Sequence, residues 1–187
     1  MRKLLLIKHA RPEVIPTVPA HEWHLGEQGK ELSRKLGQRL LPYNLKQVLS
    51  SEEPKAVETA QIVAAQLSIP SIAVPGLQEH DRSNVPQMEP RVFQSAVAQF
   101  FQKPARLVLG RETAEEVYER FEEAMRRLLT TYTDGDLAVV SHGTVIALYL
   151  YKQAKLNPYH IWRDLALPSY VVLSLDDFKV LETVAKI

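Results

Sequence analysis

Two short apolar runs limit what this chain can fold into. Leu4-Leu5-Leu6-Ile7 ends in Lys8-His9, and Leu137-Ala138-Val139-Val140 ends in Ser141-His142-Gly143. Neither run alternates apolar with polar residues. Each therefore reads as a strand covered on both faces, as in a mostly parallel sheet packed between helices. Pro12 has no N–H to donate and stops the first ladder soon after His9. In open α/β sheets, ligand sites gather at the carboxyl ends of the strands. Parallel strands would bring His9 and His142 out at one edge.

The rest of the sequence supplies helices and further strands. Pro12, Pro16 and Pro19 make residues 11–25 an irregular loop, in which His21 and His24 lack the spacing of a zinc-protease pair. Leu32, Leu36 and Leu40 recur at helical spacing within residues 25–41, and Pro42 closes that helix. Residues 46–50 predict a second strand. Ser50 and Ser51 then precede a helix reaching Leu67. Serine is a natural N-cap, Pro54 suits the first turn, and Glu52 and Glu53 suit the positive end of the dipole. Residues 71–74 predict a third strand. A small helical insertion is expected over residues 83–110, bracketed by Pro86, Pro90 and Pro104 and lying over the active-site face where the strands end. Thr113 and Glu116 have capping-box spacing at the head of a long helix striped by Val117, Phe121, Ala124, Met125 and Leu128. A helix from about Thr144 to Ala154 follows the fourth strand. Residues 158–162 give a short helical turn, and residues 170–175 and 179–184 predict a hairpin around Asp176-Asp177. This alternation predicts an α/β fold, a three-layer α/β/α sandwich around a mainly parallel sheet. A chain of 187 residues accommodates it as a single domain, residues 1–187, with the insertion at 83–110.

A formal net charge of +1, with no block of like charge, argues against nucleic acid or a membrane surface as a partner. The absence of cysteine removes disulfides and thiolate metal sites and fits a reducing interior. Arg2 and Lys3 precede an apolar run too short for a signal peptide. No stretch is long or apolar enough to span a bilayer, so a soluble, cytoplasmic protein is expected.

A site assembles at the strand edge. His9 and His142 stand there, and the helix after His142 turns its N-terminal N–H groups to the same edge, a ready seat for an anion. Lys8 precedes His9. Lys55, in the first turn of the helix after Ser50-Ser51, reaches the same place, as does Glu79 in the loop after the third strand. Two imidazoles, two cations, a helix N-terminus and a carboxyl group are the parts needed to transfer a phosphoryl group without a metal.

This set resembles the histidine phosphatase superfamily, also called phosphoglycerate mutase-like. The family's arginine-histidine-glycine signature stands here as Lys8-His9-Ala10. Its serine-rich segment, with arginine-alanine and later threonine-alanine, matches Ser50-Ser51, Lys55-Ala56 and Thr59-Ala60. Its acid-bearing loop matches Leu77-Gln78-Glu79, and its second histidine matches His142-Gly143-Thr144. Order and spacing agree from residue 4 to about residue 150. There are departures: both signature arginines are lysines, Ala10 replaces a glycine, and Val14-Ile15 stand where many relatives carry an asparagine. Lysine keeps the charge but lacks the planar fork that grips two phosphate oxygens. Arg11 and Arg82 are candidates for the missing guanidinium, though the solvated surface is the ordinary place for each.

The resemblance implies a phosphoric monoester hydrolase with a phosphoglycerate mutase-like fold. His9 would be the nucleophile, attacking phosphorus with one nitrogen while a backbone carbonyl holds the other, and forming a phosphohistidine. Glu79 would protonate the departing alcohol and then accept a proton from water, which asks for a raised pKa. His142, Lys8 and Lys55 would bind the transferred group. No metal and no cofactor is called for. The expected partner is a phosphorylated small molecule or a phosphoprotein. Two alternatives stay open: phosphoglycerate-mutase-type transfer, and a catalytically weak relative that binds a phospho-ligand or a protein.

Overall fold

Leu4, Leu5, Leu6 and Ile7 are all fully buried, because their strand lies inside a six-stranded sheet. The computed structural model describes residues 1–187. The strands are β1 (Lys3–Lys8), β2 (Leu45–Ser50), β3 (Ser71–Ala73), β4 (Asp136–Ser141), β5 (Ser169–Ser174) and β6 (Val180–Val184), in spatial order β3-β2-β4-β1-β5-β6. The ladders β1–β4, β4–β2 and β2–β3 are parallel, and the β1–β5 and β5–β6 ladders are antiparallel. The sheet is mainly parallel, with helices on both faces.

Successive side chains on a strand point to opposite faces, so each central strand feeds two cores. Leu4, Leu6, Leu137 and Val139 face α4 (Ala114–Thr131) and α5 (Gly143–Ala154), where Phe121, Met125 and Ile146 meet them. Leu5, Ile7, Ala138 and Val140 face α1 (Glu27–Leu40) and α2 (Pro54–Leu67), where Leu36, Leu40 and Val63 meet them. Each such leucine or isoleucine contributes about 1.5–3 kcal/mol by leaving water. That burial holds the carboxyl ends of β1 and β4 side by side.

The capping box forms as its spacing predicts: Thr113 Oγ1 accepts the Glu116 N–H at 3.2 Å, and the Glu116 carboxylate accepts the Thr113 N–H at 2.7 Å. The start of α2 differs from expectation. Neither Ser50 nor Ser51 caps it; the N-cap is Glu53, whose side chain makes no capping bond. Pro54 at the helix start has no N–H to satisfy, and the Ser51 hydroxyl is engaged by His142 instead. Residues 83–110 contain one helix, α3 (Pro90–Gln102). α3 meets α6 (Pro158–Asp164) through Phe93 and Trp162, whose ring centroids are 5.9 Å apart. No helix is long and apolar enough to cross a membrane.

Candidate active site

The ends of three parallel strands are laced together by backbone bonds just beyond the ladders. The His9 N–H donates to the Ser141 carbonyl at 3.0 Å, and the Ser51 N–H donates to the Val140 carbonyl at 2.9 Å. The Ser141 hydroxyl reaches the Leu77 carbonyl at 2.8 Å, tethering the loop that carries Glu79. The Ala10 N–H donates to Thr59 Oγ1 at 3.0 Å, which fixes the turn after His9 against α2. Segments far apart in sequence thus converge on a single edge of the sheet.

His9 and His142 face each other there, with ring centroids 5.1 Å apart. Both are buried. His9 Nδ1 lies 2.7 Å from the Ala10 carbonyl, so this nitrogen carries the hydrogen and Nε2 keeps its lone pair. Burial, reinforced by His142 and the Lys55 charge, holds the His9 imidazole well below the ordinary histidine range and therefore neutral. His142 Nε2 lies 2.8 Å from Ser51 Oγ, while its Nδ1 is buried with no partner. An unpartnered buried nitrogen is costly unless something occupies it. Burial also holds His142 down to about 3. Directly after it, Gly143 opens α5. A Cβ on Gly143 would come within 3.1 Å of Lys8 Cε and 3.4 Å of the Trp162 ring, so the glycine gives Lys8 room to lie against the helix N-terminus.

Lys8 also donates to the Leu165 carbonyl at 2.6 Å. Burial lowers its pKa, with Glu79 opposing. Glu79 accepts the Thr144 N–H at 3.1 Å through one oxygen and the His80 N–H at 2.9 Å through the other. The raised pKa expected for this carboxyl is absent. Burial alone would push it up, but the Arg82 guanidinium, with help from His142 and the two N–H groups, holds it down to about 2. Arg82 is half-buried and leans on the site. Its Nη2 lies 3.8 Å from the Glu79 carboxylate, and its Nη1 donates to Thr144 Oγ1 at 3.3 Å. It brings a guanidinium to the N-terminus of α5. Arg11, by contrast, is exposed.

Lys55 is buried at the same edge, but its ammonium is already engaged: it donates to the Ala20 carbonyl at 2.6 Å and to Glu53 at 2.5 Å. Glu53 is the residue the sequence did not single out as a site group. Its second oxygen accepts the Glu79 N–H at 2.8 Å and lies 3.4 Å from His142 Nε2. A glutamate ahead of a proline at a helix start has the pattern of a dipole-facing surface acid; only its neighbour two residues on, Lys55, hinted at an ion pair. His21 and His24 pair with Glu22 and Glu58.

Comparison with known proteins bears on this arrangement. The family model described as histidine phosphatase superfamily (branch 1) matches residues 4–183. No curated protein matches the sequence. Among solved structures, Bacillus stearothermophilus YhfR is similar at a TM-score of 0.78 and 21% identity, covering 100% of this chain and 98% of that one. A mycobacterial glucosyl-3-phosphoglycerate phosphatase is similar at 0.76 and 15%, covering 97% and 96%. A phosphoserine phosphatase mutant from Entamoeba histolytica, in complex with phosphoserine, is similar at 0.74 and 14%, covering 98% and 95%.

Proposed function

Since the chain belongs to branch 1 of the histidine phosphatase superfamily, we propose that it hydrolyses a phosphomonoester through a phosphohistidine, without a metal. The observation that carries this reading is the His9 ring: Nδ1 is held on the Ala10 carbonyl, which leaves Nε2 of a neutral imidazole free beside the His142 ring. The phosphatases of small phosphorylated metabolites among its structural relatives support a small-molecule substrate.

In this reading the phosphoryl group sits between the two imidazoles, at the N-terminus of α5. The unpartnered His142 Nδ1, Lys8, Lys55 and the Arg82 guanidinium receive its oxygens. Arg82 takes the part of the guanidinium that the lysines lack. Nε2 of His9 attacks phosphorus as the bond to the alcohol oxygen breaks. The proton for that oxygen comes from Glu79. A dianionic ligand beside Glu79 draws Arg82 toward itself and opposes the carboxylate charge, so substrate binding moves the Glu79 pKa upward from its ligand-free value. Water then attacks the phosphohistidine, gives its proton to Glu79, and releases phosphate and free His9.

The test is covalent capture. Incubation with a labelled phosphoryl donor and an alkaline quench should leave label on the wild-type chain and none on His9→Ala. Label and turnover retained in His9→Ala would remove His9 from this role. A second reading, binding of a phosphorylated ligand without turnover, draws on the engagement of Lys55 by Glu53. It predicts ligand affinity with no phosphate release across a substrate panel.

A further inference from the structure

Glu53 is the feature of the site that a phosphate-binding pocket has no evident need for. Its carboxylate is buried, and each of its oxygens is placed on groups of the active site. One receives the Lys55 ammonium at 2.5 Å. The other receives the Glu79 N–H at 2.8 Å and stands 3.4 Å from His142 Nε2. A carboxylate accepts hydrogen bonds from the same kinds of donor as a phosphoryl oxygen does, so it competes for them. Around the two imidazoles, three cations, Lys8, Lys55 and Arg82, are balanced against two carboxylates, Glu53 and Glu79. Glu79 has a part in the proposed chemistry. Glu53 has none there.

We propose that Glu53 is a resident anion of the phosphate pocket: it clamps Lys55, and thereby lowers the site's affinity for phosphate and for other multiply charged anions. The proposal rests on the reading of this edge as a phosphoryl site. Two consequences belong to it. Product phosphate leaves quickly, because its position is contested from within the protein. And the pocket favours phosphomonoesters whose only strong negative charge is the phosphoryl group, since each further carboxylate or phosphate on the substrate meets Glu53 in a water-poor site where like charges repel more strongly than in water.

The test is the affinity of orthovanadate and of inorganic phosphate, measured by titration calorimetry on the full chain. Glu53→Gln keeps an oxygen to accept the Glu79 N–H and removes the charge. It should bind both anions about tenfold more tightly or better, the scale of one charge-assisted hydrogen bond released. A gain of affinity is not what a damaged fold would give. Lys55→Met in the Glu53→Gln background should cancel most of that gain, because the released ammonium is its source. If wild type binds phosphate and Glu53→Gln binds it no better, the clamp is wrong while the phosphate site stands. If neither binds phosphate or vanadate, both the clamp and the site reading fail. If the gain survives Lys55→Met in full, the clamp on Lys55 is overturned. Equal selectivity of wild type and Glu53→Gln between a phosphomonoester and its carboxylate-bearing analogue would overturn the second consequence.

Discussion

His9 and His142 are buried as neutral imidazoles, and this ties the stability of the protein to pH. The His142 imidazole is held down to about 3 from an ordinary 6.5, so between those values the unfolded chain binds the extra proton and the folded one does not. That contribution is whole above pH 6.5 and is lost as pH falls toward 3. His9 acts in the same direction. Glu79, held down to about 2 from 4.5, adds a loss of the same sign below pH 4.5. Stability should therefore decline from pH 7 to pH 4, by up to about 1.4 kcal/mol per pH unit for each such histidine. Thermal unfolding across that range checks it, and His142→Asn should flatten the slope; a level wild-type profile would mean that these rings are not buried neutral. Arg82 makes a second prediction. Arg82→Ala should weaken vanadate binding about tenfold and move the alkaline limb of the kcat/KM profile upward, because Glu79, the proton donor of the proposed reaction, loses the cation that keeps it ionised. An unmoved limb would place Arg82 outside the site. The two histidines were legible because an unbroken apolar run has to end somewhere, and each run ended in one. Glu53 was not, and Arg82 stood only as one of two candidates beside Arg11, because nothing in their local sequence separates a charge held in the site from a solvated one. Their ion-pair partners, Lys55 and Glu79, lie two and three residues away, but His142 and Thr144, which fix them in the site, meet them only after β2, β4 and the loop before α3 have come together.

At the scale of elements, α1 sets the position of His9 by how closely it passes. A Cβ on Gly29 would stand 2.1 Å from the Arg11 carbonyl oxygen, inside any tolerable contact. Gly29→Ala should push back the turn whose Ala10 carbonyl holds His9 Nδ1. A substantial fall in turnover is expected with only a modest loss of stability; unchanged kcat would show that the turn yields without moving the ring. At the head of α4, Thr113→Ala removes an N-cap and should cost about 1 kcal/mol, read from the denaturant midpoint, with the catalytic parameters unaltered. The capping box was legible because its two halves lie three residues apart and need nothing else. The start of α2 was misleading for the converse reason. Ser51 reads as a cap within a window of a few residues, but its hydroxyl meets His142, ninety-one positions away, and that bond exists only in the folded sheet.

At the scale of the whole molecule, the layered α/β architecture follows from runs such as Leu4–Ile7 and from helices striped on one side. The neighbour relations of the strands do not, since apolar runs of equal length pair equally well on paper. The order β3-β2-β4-β1-β5-β6 places β4 between two strands that precede it by many residues. While the chain is being made, β1 and β2 are therefore finished early and left with unpaired backbone edges facing one another across an empty slot. The slot closes only when residues 136–141 emerge. Such edges invite pairing with other chains, and closure over so long a separation is slow. A fragment ending at residue 130 should accordingly be recovered as aggregate, whereas the full chain refolds. The strand that fills the slot also ends in His142, so shielding of the edges and the arrival of the second imidazole are one event. A growing chain has no paired imidazoles, and so none of the proposed phosphate seat, during the interval in which it is most vulnerable.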